Sequence, residues 1–325
     1  KQAGAFHITR DWQGFVMGAD QPFDLSMSDG IKIHVHRWMP GANPACVLLV
    51  SHGMGEHGGR YARFAEKMNE AGIAVYAPDQ RGHGRTAGSR GRLGHIADHD
   101  GWERLVTDLD ELSAAIRGFH PDKPLFLLGH SMGSLLARRY IQRYNSPLNG
   151  VILIATGGDP GLAGRLGLWI ARSQIRLRGL RTPSPLLKRL LFGGFNRRFR
   201  PRRTGFEWLN RDEREVDRYL QDPWVAASYS AAFFRDLIGG TLALHHPRNW
   251  MATPRDLPML FLSGERDPLG KFGKDTIRVC DRYKAMGCRD VTIKLYPDAR
   301  HELLHERNRE EVFADIAEWI RNRTH

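Results

Sequence analysis

The stretch Leu125-Phe-Leu-Leu-Gly-His-Ser-Met-Gly133 carries the strongest structural signal in the chain. Four apolar residues behind Pro124 make a run of the length of a buried strand, and residues 135–144 follow with a helical pattern. Gly-x-Ser-x-Gly therefore falls at a strand-to-helix turn, the setting in which this motif forms a nucleophile elbow. The reason is steric: the sharp turn thrusts the Ser131 side chain above the sheet, while Gly129 and Gly133 leave room for close-packed neighbours. The N-terminus of the next helix also favours negative charge developing beside the serine.

Runs of the same buried kind lie on both sides of the elbow. Val47-Leu-Leu-Val-Ser51 is one, and residues 73–77, 151–155, 259–263 and 291–296 are others, bounded by Gly or Pro. Residues 31–38 instead alternate apolar and polar, as a half-buried antiparallel strand does. The sheet thus begins mixed and turns parallel, with at least seven strands. Helical patterns at 60–71, 102–119, 131–144, 274–286 and 309–323 fall between them. The expected class is α/β, a mostly parallel central sheet with helices on both faces. Residues 156–256 break the alternation, with no clear strand and too great a length for a loop. They are expected to form an inserted, mostly helical cap between two parts of one core, 1–155 and 257–325.

A serine hydroxyl is a weak nucleophile at neutral pH and needs a base, which in turn needs an orienting acid. On this type of sheet the order along the chain is serine, acid, histidine. The strand ending at Ser263 runs into Gly264-Glu-Arg-Asp-Pro268, and the strand ending at Tyr296 runs into Pro297-Asp-Ala-Arg-His-Glu302. Both turns lie at carboxyl ends of strands, the edge where reactive groups of open α/β sheets gather. Asp267 is the expected acid, with Glu265 and Asp298 as rivals, and His301 the expected base, with His305 as rival. A tetrahedral intermediate needs two backbone N–H donors. One is expected from Met132, directly after the serine. The other is expected from Met54 in Ser51-His-Gly-Met-Gly55, where a plain glycine-rich turn is the competing reading.

Composition bounds the rest. With 41% hydrophobic and 26% charged residues, a 325-residue chain can bury a sizeable core, which argues against disorder. No apolar run approaches the roughly 20 residues that span a bilayer. Cys46, Cys280 and Cys288 are too few and too scattered for a disulfide framework or metal cluster, so a reducing compartment, the cytoplasm, is expected. The chain starts at Lys1, which leaves a trimmed leader open. Net charge is +12, and residues 160–210 hold eleven arginines and one lysine against the single acid Glu207.

Together these residues resemble the monoacylglycerol lipase and lysophospholipase branch of the α/β-hydrolase superfamily, sometimes grouped with serine aminopeptidase-like hydrolases. The likeness rests on His52-Gly-Met-Gly-Glu-His-Gly-Gly-Arg-Tyr61, Asp79-Gln-Arg-Gly-His-Gly84, the elbow Gly129-His-Ser-Met-Gly133, Asp267 and His301-Glu302. It implies the α/β-hydrolase fold and an ester hydrolase with a lid over an acyl pocket, needing no cofactor. The expected substrates are lysophospholipid or monoacylglycerol. A small-ester carboxylesterase, an aminopeptidase-like amide hydrolase, and a non-enzymatic membrane-surface or ligand-binding role stand as alternatives.

Other features have plainer readings. His34 and His36 share a strand face, but the spacing supplies no further ligand, so no metal is expected there. Asp79, Arg81 and His83 crowd a glycine-rich turn and are expected to hold it by hydrogen bonds. His245-His246 reads as solvated cap surface. Pro185-Leu-Leu-Lys-Arg-Leu-Leu-Phe192 reads as a basic amphipathic helix, suited to an anionic membrane or to packing its leucines on the core. Arg197-Arg-Phe-Arg-Pro-Arg-Arg203 offers a grip for nucleic-acid phosphates, the least favoured partner.

Overall fold

The computed structural model describes residues 21–41, 43–144, 147–226 and 228–324, so the first twenty residues of the expected core, and any leader, lie outside it. Among the described residues eight strands form one sheet: β1 (Phe23–Ser26), β2 (Lys32–Trp38), β3 (Cys46–Ser51), β4 (Ile73–Pro78), β5 (Leu125–His130), β6 (Gly150–Ile154), β7 (Met259–Gly264) and β8 (Val291–Tyr296). Their order is β1-β2-β4-β3-β5-β6-β7-β8. The pairs β1/β2 and β2/β4 are antiparallel and the others parallel, so the sheet is mixed at one edge as expected.

β3, β4, β5, β6 and β7 are buried at every position, because both faces are covered. On one face Leu48, Val50, Phe126, Leu128 and Leu260 pack against α1 (Ala62–Glu70) and α10 (Arg309–Arg321). On the other, Val47, Leu49, Leu127, Leu153 and Phe261 meet α2 (Gly101–Phe119), α3 (Met132–Arg143) and α9 (Lys274–Ala285). β1 was not expected: four residues with only Leu25 buried give too short an alternation to register.

Between β6 and β7 the chain makes its long excursion through α4 (Gly161–Arg178), α5 (Pro185–Phe192), α6 (Glu213–Gln221), α7 (Ala231–Leu244) and α8 (Pro247–Met251). Local chemistry starts these helices. Ser184 Oγ accepts from Leu187 N–H with Pro185 in the first turn of α5, and Ser230 Oγ accepts from Phe233 N–H at the start of α7. α7 seats the excursion on the core where Gly240 lies over Trp102 of α2; a Cβ there would come within 2.0 Å of the indole. The outer face of α4 stays bare, with Leu162, Leu166, Trp169 and Leu177 exposed. Among the described residues no helix is long and apolar enough to cross a membrane, and the three cysteines are free and buried.

His245 departs from expectation. It is buried rather than solvated, its ring 5.6 Å from that of Trp250 in α8, and burial pulls its imidazole down to about 3. A polar dipeptide conceals that α7 and α8 fold back on each other; His246 alone remains at the surface.

Candidate active site

Ser131 stands between β5 and α3 with φ 52° and ψ −116°, a left-handed-side conformation that a non-glycine residue adopts only under constraint. The constraint is close packing. A Cβ at Gly133 would lie 1.9 Å from Ser51 O, and one at Gly129 would lie 2.4 Å from Gly133 O. Ser131 N–H donates to Ile154 O at 3.0 Å, tying the elbow to the end of β6.

His301 lies in the turn after β8 and Asp267 in the turn after β7. His301 Nδ1 is 3.0 Å from Asp267 Oδ2, and both residues are buried. Leu269 N–H donates to the other carboxylate oxygen at 2.9 Å, which fixes the carboxylate plane. The rivals sit elsewhere. Glu265 is exposed, Asp298 pairs at the surface with Arg266, and His305 Nε2 is 3.1 Å from Arg60 O.

Met54 and Met132 belong to two loops in contact. A Cβ on Gly53 would lie 3.1 Å from Ser131 Cβ, so the loop after β3 runs directly beside the serine. His52 pins that loop: its ring bonds Gly53 O at 2.8 Å and accepts from Gln80 N–H at 2.9 Å. Met132 opens α3, where backbone N–H groups point outward without helical partners. Ser131, His301 and Met54 all line one cavity of about 570 Å³, within the usual size of a small-molecule site. Its far wall comes from the excursion, with Phe192, Trp208 and Tyr229 among the lining residues. The Trp208 ring lies 5.0 Å from that of His301.

Several buried charges around the cavity had no role assigned from sequence. Glu56 Oε1 accepts from Gly53 N–H at 2.6 Å and from Tyr61 Oη at 3.1 Å, and lies 2.6 Å from His130 Nδ1. Arg60 makes a two-pronged pair with Glu302 at 2.6 and 3.1 Å. Burial by itself would raise the Glu56 carboxyl, but the charge on His130 and Arg60 holds it well below the usual carboxylate range. Burial opposes charge on His130 too, and Glu56 outweighs it, raising the imidazole above its ordinary value.

The turn after β4 is held as expected. Asp79 accepts from Gly58 N–H at 2.8 Å and Arg85 N–H at 2.6 Å, and Arg81 pairs with Asp108 and Asp29. Burial opposes the Asp79 charge, but the His36 hydrogen bond and charge bring the carboxyl down to about 2. One expectation needs correction: His36 does have potential co-ligands, since ligand atoms of His36, His57 and Asp79 lie within 4.8 Å of one another. The β2/β4 pairing, with His36 opposite Ala77, brings them together across the sequence. Hydrogen bonds already engage them: His36 Nε2 lies 3.2 Å from Asp79 Oδ1, and His57 Nε2 lies 2.8 Å from Asp222 Oδ2.

A model of the family described as serine aminopeptidase, S33, matches residues 42–308, from β3 through the turn bearing His301. The chain belongs to this family. Among relatives of this S33 hydrolase, a monoacylglycerol lipase of Mycolicibacterium smegmatis is 29% identical over 293 residues, covering 90% of this chain and 93% of that one. A monoglyceride lipase of Mus musculus is 28% identical over 312 residues, covering 92% and 90%. A solved carboxyl esterase from Bacillus coagulans, in complex with glycerol, superposes with a TM-score of 0.88 at 27% identity, over 95% of this chain and all of that one. The S33 hydrolase thus lies in the monoacylglycerol lipase-like branch of the α/β-hydrolases.

Proposed function

We propose that the protein is a serine carboxylic-ester hydrolase that cleaves monoacyl lipids, monoacylglycerol or lysophospholipid, through an acyl-enzyme. Ser131 Oγ attacks the ester carbonyl while His301 Nε2 takes its proton, and the N–H groups of Met54 and Met132 receive the oxyanion. Asp267 accepts the Nδ1–H of His301 and steadies the imidazolium. His301 then protonates the departing alcohol, and a water activated by the same imidazole releases the fatty acid. Residues 156–256 serve as the lid, with Phe192 and Trp208 over the acyl chain.

The observation that carries this reading is the shared cavity, with Ser131 and His301 on one side and an aromatic wall on the other. The relatives named above support the substrate class. The test is fatty-acid release from monoacylglycerol and lysophosphatidylcholine by wild type and Ser131→Ala. Serine-dependent release is expected from at least one lipid; hydrolysis undiminished in the variant would overturn the mechanism.

Contact with an anionic membrane belongs to the same proposal. Exposed Leu162, Leu166, Trp169 and Leu177 recur at helical spacing along α4, with exposed Arg165, Arg172 and Arg176 beside them. An apolar stripe edged by arginine suits a helix lying in a lipid headgroup layer.

A further inference from the structure

We propose that Glu56 and His130 form a buried brace that fixes the oxyanion donors and the base relative to the nucleophile. They act as positioning residues for the ester hydrolysis proposed above, on which this inference rests.

Three loops must meet to about half an ångström for such a site to work, and they come from distant parts of the chain. The loop after β3 carries Met54, the elbow carries Ser131, and the turn after β8 carries His301. One carboxylate oxygen, Glu56 Oε1, joins the first two, since it takes the Gly53 N–H at 2.6 Å and lies 2.6 Å from His130 Nδ1. The other nitrogen of His130 reaches the third: Nε2 lies 3.3 Å from His301 O. Imidazole is suited to this position because its two nitrogens act in opposite directions, and a doubly protonated ring donates on both sides at once. Donation to Glu56 and to a carbonyl oxygen together requires the charged ring.

Burial makes the arrangement stiff. Glu56 and His130 are at most 6% exposed, so water does not substitute for a broken bond, and removing either charge unbalances the buried cluster they form with Arg60 and Glu302. Arg60 and Glu302 close the circuit: Arg60 Nη1 is 3.3 Å from Glu56 Oε2 and 2.6 Å from Glu302 Oε1, and Glu302 follows His301 in the chain. The loop bearing Met54 therefore cannot shift without disturbing the base.

The test compares wild type, Glu56→Gln, His130→Gln and the double variant on a short p-nitrophenyl ester, which needs neither membrane nor lid. Active sites are counted with a fluorophosphonate, so kcat refers to competent enzyme only. Each single variant is expected to lose about 10- to 100-fold in kcat with KM within about twofold, as when a transition-state donor is misplaced. The double variant should be no worse than the poorer single, because both break one brace. A purely structural role would lower Tm and the titrated fraction and leave kcat per site unchanged, which would overturn the proposal. If Glu56→Gln yields no titratable enzyme, the His130→Gln kcat decides alone. Wild type that neither cleaves the ester nor titrates would instead reject the serine-hydrolase reading, and the brace with it.

Discussion

Gly133 illustrates how little latitude a single residue has in this site. A methyl group there would meet two backbone oxygens, Ser51 O at 1.9 Å and His52 O at 2.6 Å, neither of which can rotate away. Gly133→Ala is therefore expected to separate the elbow from the loop bearing Met54, seen as loss of fluorophosphonate labelling together with a lowered Tm. Asp267→Asn should keep the fold and lower kcat by on the order of 10⁴, because an amide no longer selects the Nδ1–H tautomer of His301. The brace predicts a pH signature in stability. Glu56 is depressed from its ordinary 4.5, so its contribution holds above that value and fades as pH falls through the folded one. His130 is raised from 6.5, so its contribution holds below 6.5 and fades as pH rises through the folded value. Facing this pair are Arg60, Glu302, His52 and the Tyr61 hydroxyl. The Tm difference between wild type and Glu56→Gln should thus be largest between pH 4.5 and 6.5 and shrink as pH rises through the folded His130 value. The position of Ser131 and His301 just past strand ends was legible in the sequence, because short motifs mark both turns. Glu56 was not: its partner His130 lies 74 residues away, and only the β3/β5 pairing brings their loops together.

At the scale of elements, the core strands were legible because burial on both faces writes an unbroken apolar run. β1 was not, since an edge strand of four residues with one buried side chain leaves almost no pattern. Of the helices between β6 and β7 only α5 was legible individually, as a basic amphipathic run with the bounds it has, Pro185–Phe192; the others were legible as a helical region. Leu187 alone of the α5 leucines is fully buried, while Leu186 and Leu190 are exposed, so that helix only partly packs on the core. The bare stripe of α4 gives an element-scale prediction. Replacing Leu166 and Trp169 together with Gln should cut binding to anionic vesicles by at least tenfold, given about 1.5–3 kcal/mol for each buried large apolar side chain. Turnover of a soluble short ester should stay unchanged. Equal flotation of variant and wild type would rule out α4 as the contact.

Across the whole molecule, charge and fold are unevenly shared. The net charge is +12, and residues 160–210 alone combine eleven arginines and one lysine with one acid. Vesicle binding should therefore weaken as salt rises from 0.05 to about 0.5 M, since screening shortens the reach of these charges to a few ångströms, whereas hydrolysis of the soluble ester should not. The excursion that bears this charge leaves the sheet after β6 and returns in β7, and those two strands are paired neighbours, Val151 opposite Met259. Because the two strands run parallel, the chain departs at the carboxyl edge of the sheet and re-enters at the opposite edge. The insert must span that crossing whatever its length or charge, and on the way it holds the turn bearing His301, where Glu302 N–H donates to Leu209 O at 2.9 Å. The arginine-rich insert is thus a bridge as well as a cover: what decides which molecule is admitted also buttresses the base that acts on it, so recognition and reaction share one piece of chain.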